Sequence, residues 1–185
     1  MSFRFAMLDR LWFVGFGGTG PYFADEESNW ARQIWRAFLD RTAELPAGHE
    51  EGFVSPCHSR ERDFTFYAGV VYRERPTTLP TGMVCFELPA HQSAVGVIAG
   101  GRAEIERVYA ELPTWAAGQG RSTTKELLSL ERYSAAGPTL DDSGVFDFEV
   151  WIPIDGRATD PSDRERPLRE VSHRQLPVAD TDSSS

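Results

Sequence analysis

Lysine is nearly missing from this chain: Lys125 stands alone among 185 residues, and 19 Lys plus Arg face 28 Asp plus Glu, for a formal net charge of −9. A surface of that sign repels a phosphate backbone, so nucleic acid is not an expected partner. Cysteine is as scarce. Cys57 and Cys85 are too few for a disulfide framework and sit in unlike contexts, which makes a reducing, cytoplasmic compartment the expectation. No apolar run approaches the roughly 20 residues that a membrane-spanning helix needs, so no membrane partner is expected. The opening MSFRFAMLDRLWFVGF is interrupted by Asp9 and Arg10 and has no small-residue cleavage site after it. No helix-turn-helix pattern lies within the 185 residues, so the chain is not expected to act as a repressor by itself.

Motifs for metal and nucleophile chemistry are missing too. His49, Cys57, His58, Cys85 and His91 never take the C-x₂-C or H-x₃-H spacing of closed zinc sites, and no G-x-S-x-G elbow is present. Neither a metal nor a cofactor is therefore expected. GFGGTG, residues 15 to 20, matches the dinucleotide fingerprint G-x-G-x-x-G after a strand, but Pro21 follows and no second strand ends in an acid about 20 residues on. The run is read as a flexible strand-to-helix turn.

What is present is hydrophobic periodicity. Residues 5–18 read as a strand and 26–44 as a helix with Asp25 as N-cap and Trp30, Ile34 and Phe38 as its buried stripe. FVSPC gives a short strand and DFTFYAGVVY, 63–72, a clear one. The order then returns: 83–101 as a long strand or bulged pair, 103–115 as a helix, and 127–134 and 145–154 as strands. Short echoes accompany the repeat, FVGF at 13 with AVGV at 94 and DFTFYAGV at 63 with DFEVWIPI at 147, and together they favour an internal duplication. The fold expected is α+β, one antiparallel sheet with both helices on one face, in a single unit over 1–155 with halves near 5–73 and 83–154. The stretch 156–185 is charged and poor in apolar residues and reads as a disordered tail. Truncation after Asp155 is expected to leave the melting temperature nearly unchanged, and a large drop in a thermal melt would mean that the tail packs.

The closing strand carries the most informative side chains. Phe146, Phe148, Val150 and Ile152 alternate as a core face, which leaves Asp147, Glu149 and Trp151 opposite. In LLSLERYS, Leu128 and Leu130 fall on one face and Glu131 and Tyr133 on the other. If these strands pair, an acid and an aromatic from each are expected to share one surface. Tyr67 lies with Asp63 and Thr65 on one face of the 63–72 strand. A carboxylate ringed by Tyr and Trp suits a lipophilic cation or a flat aromatic ligand, since it offers apolar area, π faces and a counter-charge. Patterning alone favours solvated acids beside amphipathic aromatics over a pocket.

FELPAHQSAVGVIAGG, IERVYAELPTWAAG, LERYS and FEVWIPI, in that order, resemble the GyrI-like small-molecule-binding family, the effector-binding half of AraC- and MerR-type multidrug regulators. The resemblance is specific over about 80–154 and looser over 11–73. It implies duplicated strand-helix-strand-strand halves of SHS2-like form, with a ligand cleft at their pseudo-twofold. The family's closing-strand Glu corresponds to Glu149, which the resemblance makes the counter-charge, with Tyr133 and Trp151 as walls and Trp115 as a lid or wall. The family's strand matching SAVGVIAGG usually carries an aromatic or His at its middle, and here it ends in AGG. Two functions follow as expectations. One is stand-alone binding of hydrophobic small molecules, cationic or aromatic ones among them, with homodimerisation left open. The other is hydrolysis of strained cyclopropyl-type electrophiles by a Glu/Tyr pair, either Glu149 with Tyr133 or Glu131 with Tyr67.

Overall fold

The computed structural model describes residues 3–21, 30–60, 62–140 and 144–155. The expected Asp25 N-cap and the 156–185 tail lie outside these residues. Eight strands, β1 (Arg4–Leu8), β2 (Leu11–Pro21), β3 (Phe53–Ser59), β4 (Asp63–Tyr72), β5 (Val84–Leu88), β6 (His91–Gly100), β7 (Ser129–Tyr133) and β8 (Phe146–Pro153), form one antiparallel sheet in the order β1-β6-β8-β7-β3-β4-β2-β5. Helix α1 (Trp30–Leu39) packs on β2 and β4, and α2 (Arg102–Gly118) on β6 and β8. The α+β class and the two helices on one face are as the sequence leads one to expect.

The long strand expected over 5–18 is divided, and of the long strand or bulged pair expected over 83–101 the chain forms two strands. Asp9-Arg10 and Pro89-Ala90 are the breaks, and the segments on either side of a break do not pair with each other. Instead β1 pairs with β6 and β5 with β2. These ladders repeat each other: Arg4 faces Val95, and Val84 faces Gly15, so both members of the pair are displaced by 80 residues (4 to 84, 15 to 95). Such a reciprocal exchange of edge strands is consistent with a duplicated chain.

Chain connectivity forces the sheet to roll. Leu8 and Leu11 are three residues apart and so at most about 11 Å apart. Yet β1 is the first strand of the sheet and β2 the seventh, which in a flat sheet would separate them by roughly 29 Å. The sheet must curl until its ends meet, and its inner face then closes on itself. That face holds one core contributed by all eight strands, including Leu8, Phe13, Val71, Leu88, Val95 and Trp151. The outer face holds two more, one under each helix: Trp35 and Phe38 of α1 over Val14, Phe66 and Val70, and Val108 and Leu112 of α2 over Ala94, Ile98, Phe148 and Val150. The stripe expected in α1 is found, with Trp30 and Ile34 half-buried beside it and Trp35 added.

GFGGTG is not a turn. Residues 15 to 20 lie inside β2, and several of the glycines make room for a neighbour: Gly15 for the Ala68 carbonyl and the Phe13 ring, Gly17 for the Tyr67 ring, Gly20 for the Trp30 indole. Glycine is needed here for close approach rather than for phosphate binding.

Candidate functional site

The register of β7 on β8 decides which side chains meet. Leu130 faces Trp151, Glu131 faces Val150, and Arg132 faces Glu149. Directly paired residues point to the same side of a sheet. Glu131 and Tyr133 therefore lie on the helix face, while Glu149 and Trp151 lie on the other. The expectation that these four share one surface is corrected by this register.

Glu131 sits at the centre of the helix face. On β3 its direct partner is Ser55. Following the ladders from Gly96 through Val150 leads to Glu131, and from Phe16 through Ala68 to Ser55. A twofold exchanging the matched ladders would run between Ser55 and Glu131. Both carboxylate oxygens accept phenolic hydrogen bonds: Tyr109 donates to Oε1 at 2.9 Å and Tyr133 to Oε2 at 2.6 Å. Burial raises the Glu131 pKa above its ordinary value, against the lowering effect of the Tyr133 and Tyr109 hydrogen bonds. Burial beside this carboxylate also pushes both phenols well above their ordinary range, which keeps them protonated donors.

Glu131 and Tyr133 border a cavity of about 170 Å³ between the helices. Its walls are aromatic: Trp35 stands edge-on to Tyr133 at 5.2 Å, Phe148 lies 5.1 Å from Tyr133, and Phe66 closes the β4 side. Ile105 of α2 and the segment at Pro138 and Leu140 also line it, together with two further charged side chains, Arg32 of α1 and Asp147 of β8. A second cavity of about 180 Å³ lies further along the same groove, lined by Tyr109, Cys57, Ser129, Ile152, Thr123 and Lys125 among others. Burial pushes the Cys57 thiol well up, so it remains a protonated wall rather than a nucleophile.

The other side chains singled out by sequence are elsewhere. Glu149 is paired with Arg4 at 2.7 Å and accepts the Trp151 indole N–H at 3.0 Å, at the edge of a shallow open cleft. Arg132 stacks over Trp151 at 5.1 Å. Tyr67 packs on the inner face against Phe13 and Phe86, away from Glu131, whereas Tyr133 borders the same open cleft of about 540 Å³ as Glu149 and Trp151. Trp115 packs against Phe3 and Phe5 and borders neither helix-face cavity. Two residues were missed by sequence reading. Tyr109 follows Ile105 by four and precedes Leu112 by three on the apolar stripe of α2, and a phenol in such a stripe requires a buried acceptor. Trp35 stands next to the stripe that was read.

The fold has known counterparts. SAV2435 bound to tetraphenylphosphonium aligns with a TM-score of 0.60 at 16% identity, over 84% of this chain and 95% of that one. The EcmrR C-terminal domain aligns with a TM-score of 0.58 at 14% identity, over 83% and 97%. An integron cassette protein of Vibrio cholerae, VCH_CASS2, aligns with a TM-score of 0.52 at 14% identity, over 83% and 95%. At these identities the likeness is one of fold. No curated protein matches the sequence. Among the described residues no helix is long and apolar enough to cross a membrane. The model of the Cass2 family, described as integron-associated effector binding protein, matches residues 4–154, and the chain belongs to that family.

Proposed function

We propose that this protein is an effector-binding protein that takes a hydrophobic, cationic or aromatic small molecule into the cavity between α1 and α2, with Glu131 as counter-charge. The observation that carries this reading is the Glu131 carboxylate itself, desolvated and held between two phenols on an aromatic wall. A carboxylate in such surroundings is costly unless something satisfies it, and a bound cation offers a stronger partner than neutral hydroxyls. Family membership and a fold shared with a protein bound to a lipophilic cation support small-molecule binding. The role that the family resemblance lent to Glu149 passes to Glu131, because Arg4 already neutralises Glu149 on the opposite face.

A cavity of about 170 Å³ suits one or two rings, since a 150 Å³ apolar cavity takes benzene. N-methylquinolinium, a flat bicyclic cation, is therefore the probe. By titration calorimetry at pH 7.5, Glu131→Gln is expected to weaken its binding by about 1–3 kcal/mol, the range for a lost charge-assisted contact, while Glu149→Gln leaves it within a factor of two. The opposite ranking would move the site to the open cleft. The hydrolytic reading takes Glu131 and Tyr133 as the pair, because their 2.6 Å hydrogen bond lies at the cavity wall. It requires turnover of a strained electrophile that Tyr133→Phe abolishes.

A further inference from the structure

The helix face of β7 presents Ser129, Glu131 and Tyr133 in line, about 7 Å apart. Ser129 borders one cavity, and Glu131 with Tyr133 the other. What stands between them is the Tyr109 phenol, which lines the Ser129 cavity and reaches across to Glu131 Oε1. The cavities of about 180 and 170 Å³ are each below the usual size of a ligand pocket, roughly 300–1,000 Å³, and together they reach about 350 Å³.

Their chemistry differs in sign. The Glu131 cavity has aromatic walls with two acids, Glu131 and Asp147, and one base, Arg32. The Ser129 cavity has an apolar floor at Leu127, Ile152 and Pro153, hydroxyls at Thr123 and Thr124, and the exposed Lys125 at its mouth. Lys125 is the chain's sole lysine, in a protein of net charge −9, and among the described residues no carboxylate forms an ion pair with it.

We propose that the Ser129 cavity is a second ligand subsite, that Tyr109 is the gate between the two, and that the pair together takes an elongated zwitterion, its cationic ring at Glu131 and its carboxylate at Lys125. This inference rests on Glu131 being the cation site. Rotation of Tyr109 away from Glu131 frees Oε1 for the ligand and joins the cavities. The hydrogen bond the phenol gives up is replaced by a charged contact, so opening is coupled to arrival of the cation. Tyr133 keeps its bond to Oε2 and holds the carboxylate in place.

The probes are a carboxypentyl quinolinium zwitterion and its methyl ester, titrated calorimetrically into wild type, Lys125→Gln, Tyr109→Phe and Tyr109→Ala. Wild type is expected to bind the zwitterion about tenfold more tightly than the ester, as a charge-assisted contact allows. Lys125→Gln should collapse that preference to below twofold. Lys125 is exposed, so this variant folds. Tyr109→Ala, which joins the cavities permanently, should tighten zwitterion binding severalfold, and Tyr109→Phe, which lacks the hydroxyl but keeps the ring, should do so less. Equal affinities for zwitterion and ester in wild type, or a preference that survives Lys125→Gln, overturn the second subsite while leaving the cation site standing. Failure of both probes to bind in a Glu131-dependent way overturns the cation site and the second subsite together.

Discussion

Gly15→Ala is expected to destabilise the protein by about 3 kcal/mol, the upper end of what overpacking a core costs, and to lower the melting temperature by roughly 10 °C. Gly15 and Gly69 face each other across the β2–β4 ladder, and the Phe13 ring lies across both. A methyl on Gly15 would meet the Ala68 carbonyl and the Gly69 Cα as well as the ring. Backbone of a neighbouring strand cannot withdraw without breaking the ladder, and Phe13 is fully buried in the inner core with nowhere to turn. Gly17→Ala supplies the comparison. There the nearest atoms to the added methyl are those of the Tyr67 ring, which is half-buried and able to tilt, so a loss of about 1 kcal/mol is expected. Thermal melts of the two variants check the order. A Gly15→Ala protein as stable as wild type would mean that the close approach is absent, and would return GFGGTG to a loop.

The same motif illustrates what sequence could and could not tell. The missing acid and Pro21 exclude G-x-G-x-x-G as a nucleotide site, but they do not explain why the positions are glycine. That reason is long-range: Phe13, Tyr67, Trp30 and Ile34 come from three different elements, and no local window contains them.

The core stripes were legible because they are local. Phe146, Phe148, Val150 and Ile152 alternate in sequence and do face α2, and the bounds of β4 were read to the residue. Side assignment across strands was not legible. Alternation sorts one strand's residues into two faces, but only register says which face of the next strand joins them. Here the difficulty is compounded, because the rolled sheet buries both of its faces. Leu130 and Trp151 belong to the inner core just as Phe148 and Val150 belong to the outer one, so the rule that one face is core and the other is open fails for β7 and β8. Trp151 is therefore a residue of the inner core that also borders the open cleft beside Glu149.

The element order and the ladders are consistent with a duplication, and the echoes add nothing to them. FVGF and AVGV align 81 residues apart, whereas the strand ladders match at 80. A slip of one residue exchanges the faces: Phe13 is in the inner core and Ala94 is under α2.

Glu131→Gln is expected to raise the melting temperature at pH 8 by about 2–4 °C while removing most of the cation affinity, and both differences from wild type are expected to fade as the pH falls. Desolvation raises the folded-state pKa of Glu131 above its ordinary value of 4.5. A carboxyl whose folded pKa exceeds its unfolded one holds its proton more tightly in the folded state, so the unfolded state binds fewer protons and stability falls as pH rises between the two values. Above the raised pKa the penalty is complete. It is relieved as pH falls through that value, and below about 4.5 it is gone. Glutamine keeps the shape and can still accept from Tyr109 and Tyr133, yet never ionises, so it escapes the penalty where wild type bears it in full. A gain of about 1 kcal/mol is ordinary when a functional site is neutralised, and it corresponds to those few degrees in a chain of this length. Subtracting wild type from variant at each pH cancels the titration of distant carboxyls. Binding of N-methylquinolinium should follow the same group from the other side: affinity in wild type falls as Glu131 takes up its proton, while Glu131→Gln binds weakly with a flat profile. A Glu131→Gln protein less stable than wild type at pH 8 would show that the ionised carboxylate is fully compensated by its two phenols. A wild-type affinity that does not change between pH 8 and 4.5 would show that the carboxylate is not the counter-charge.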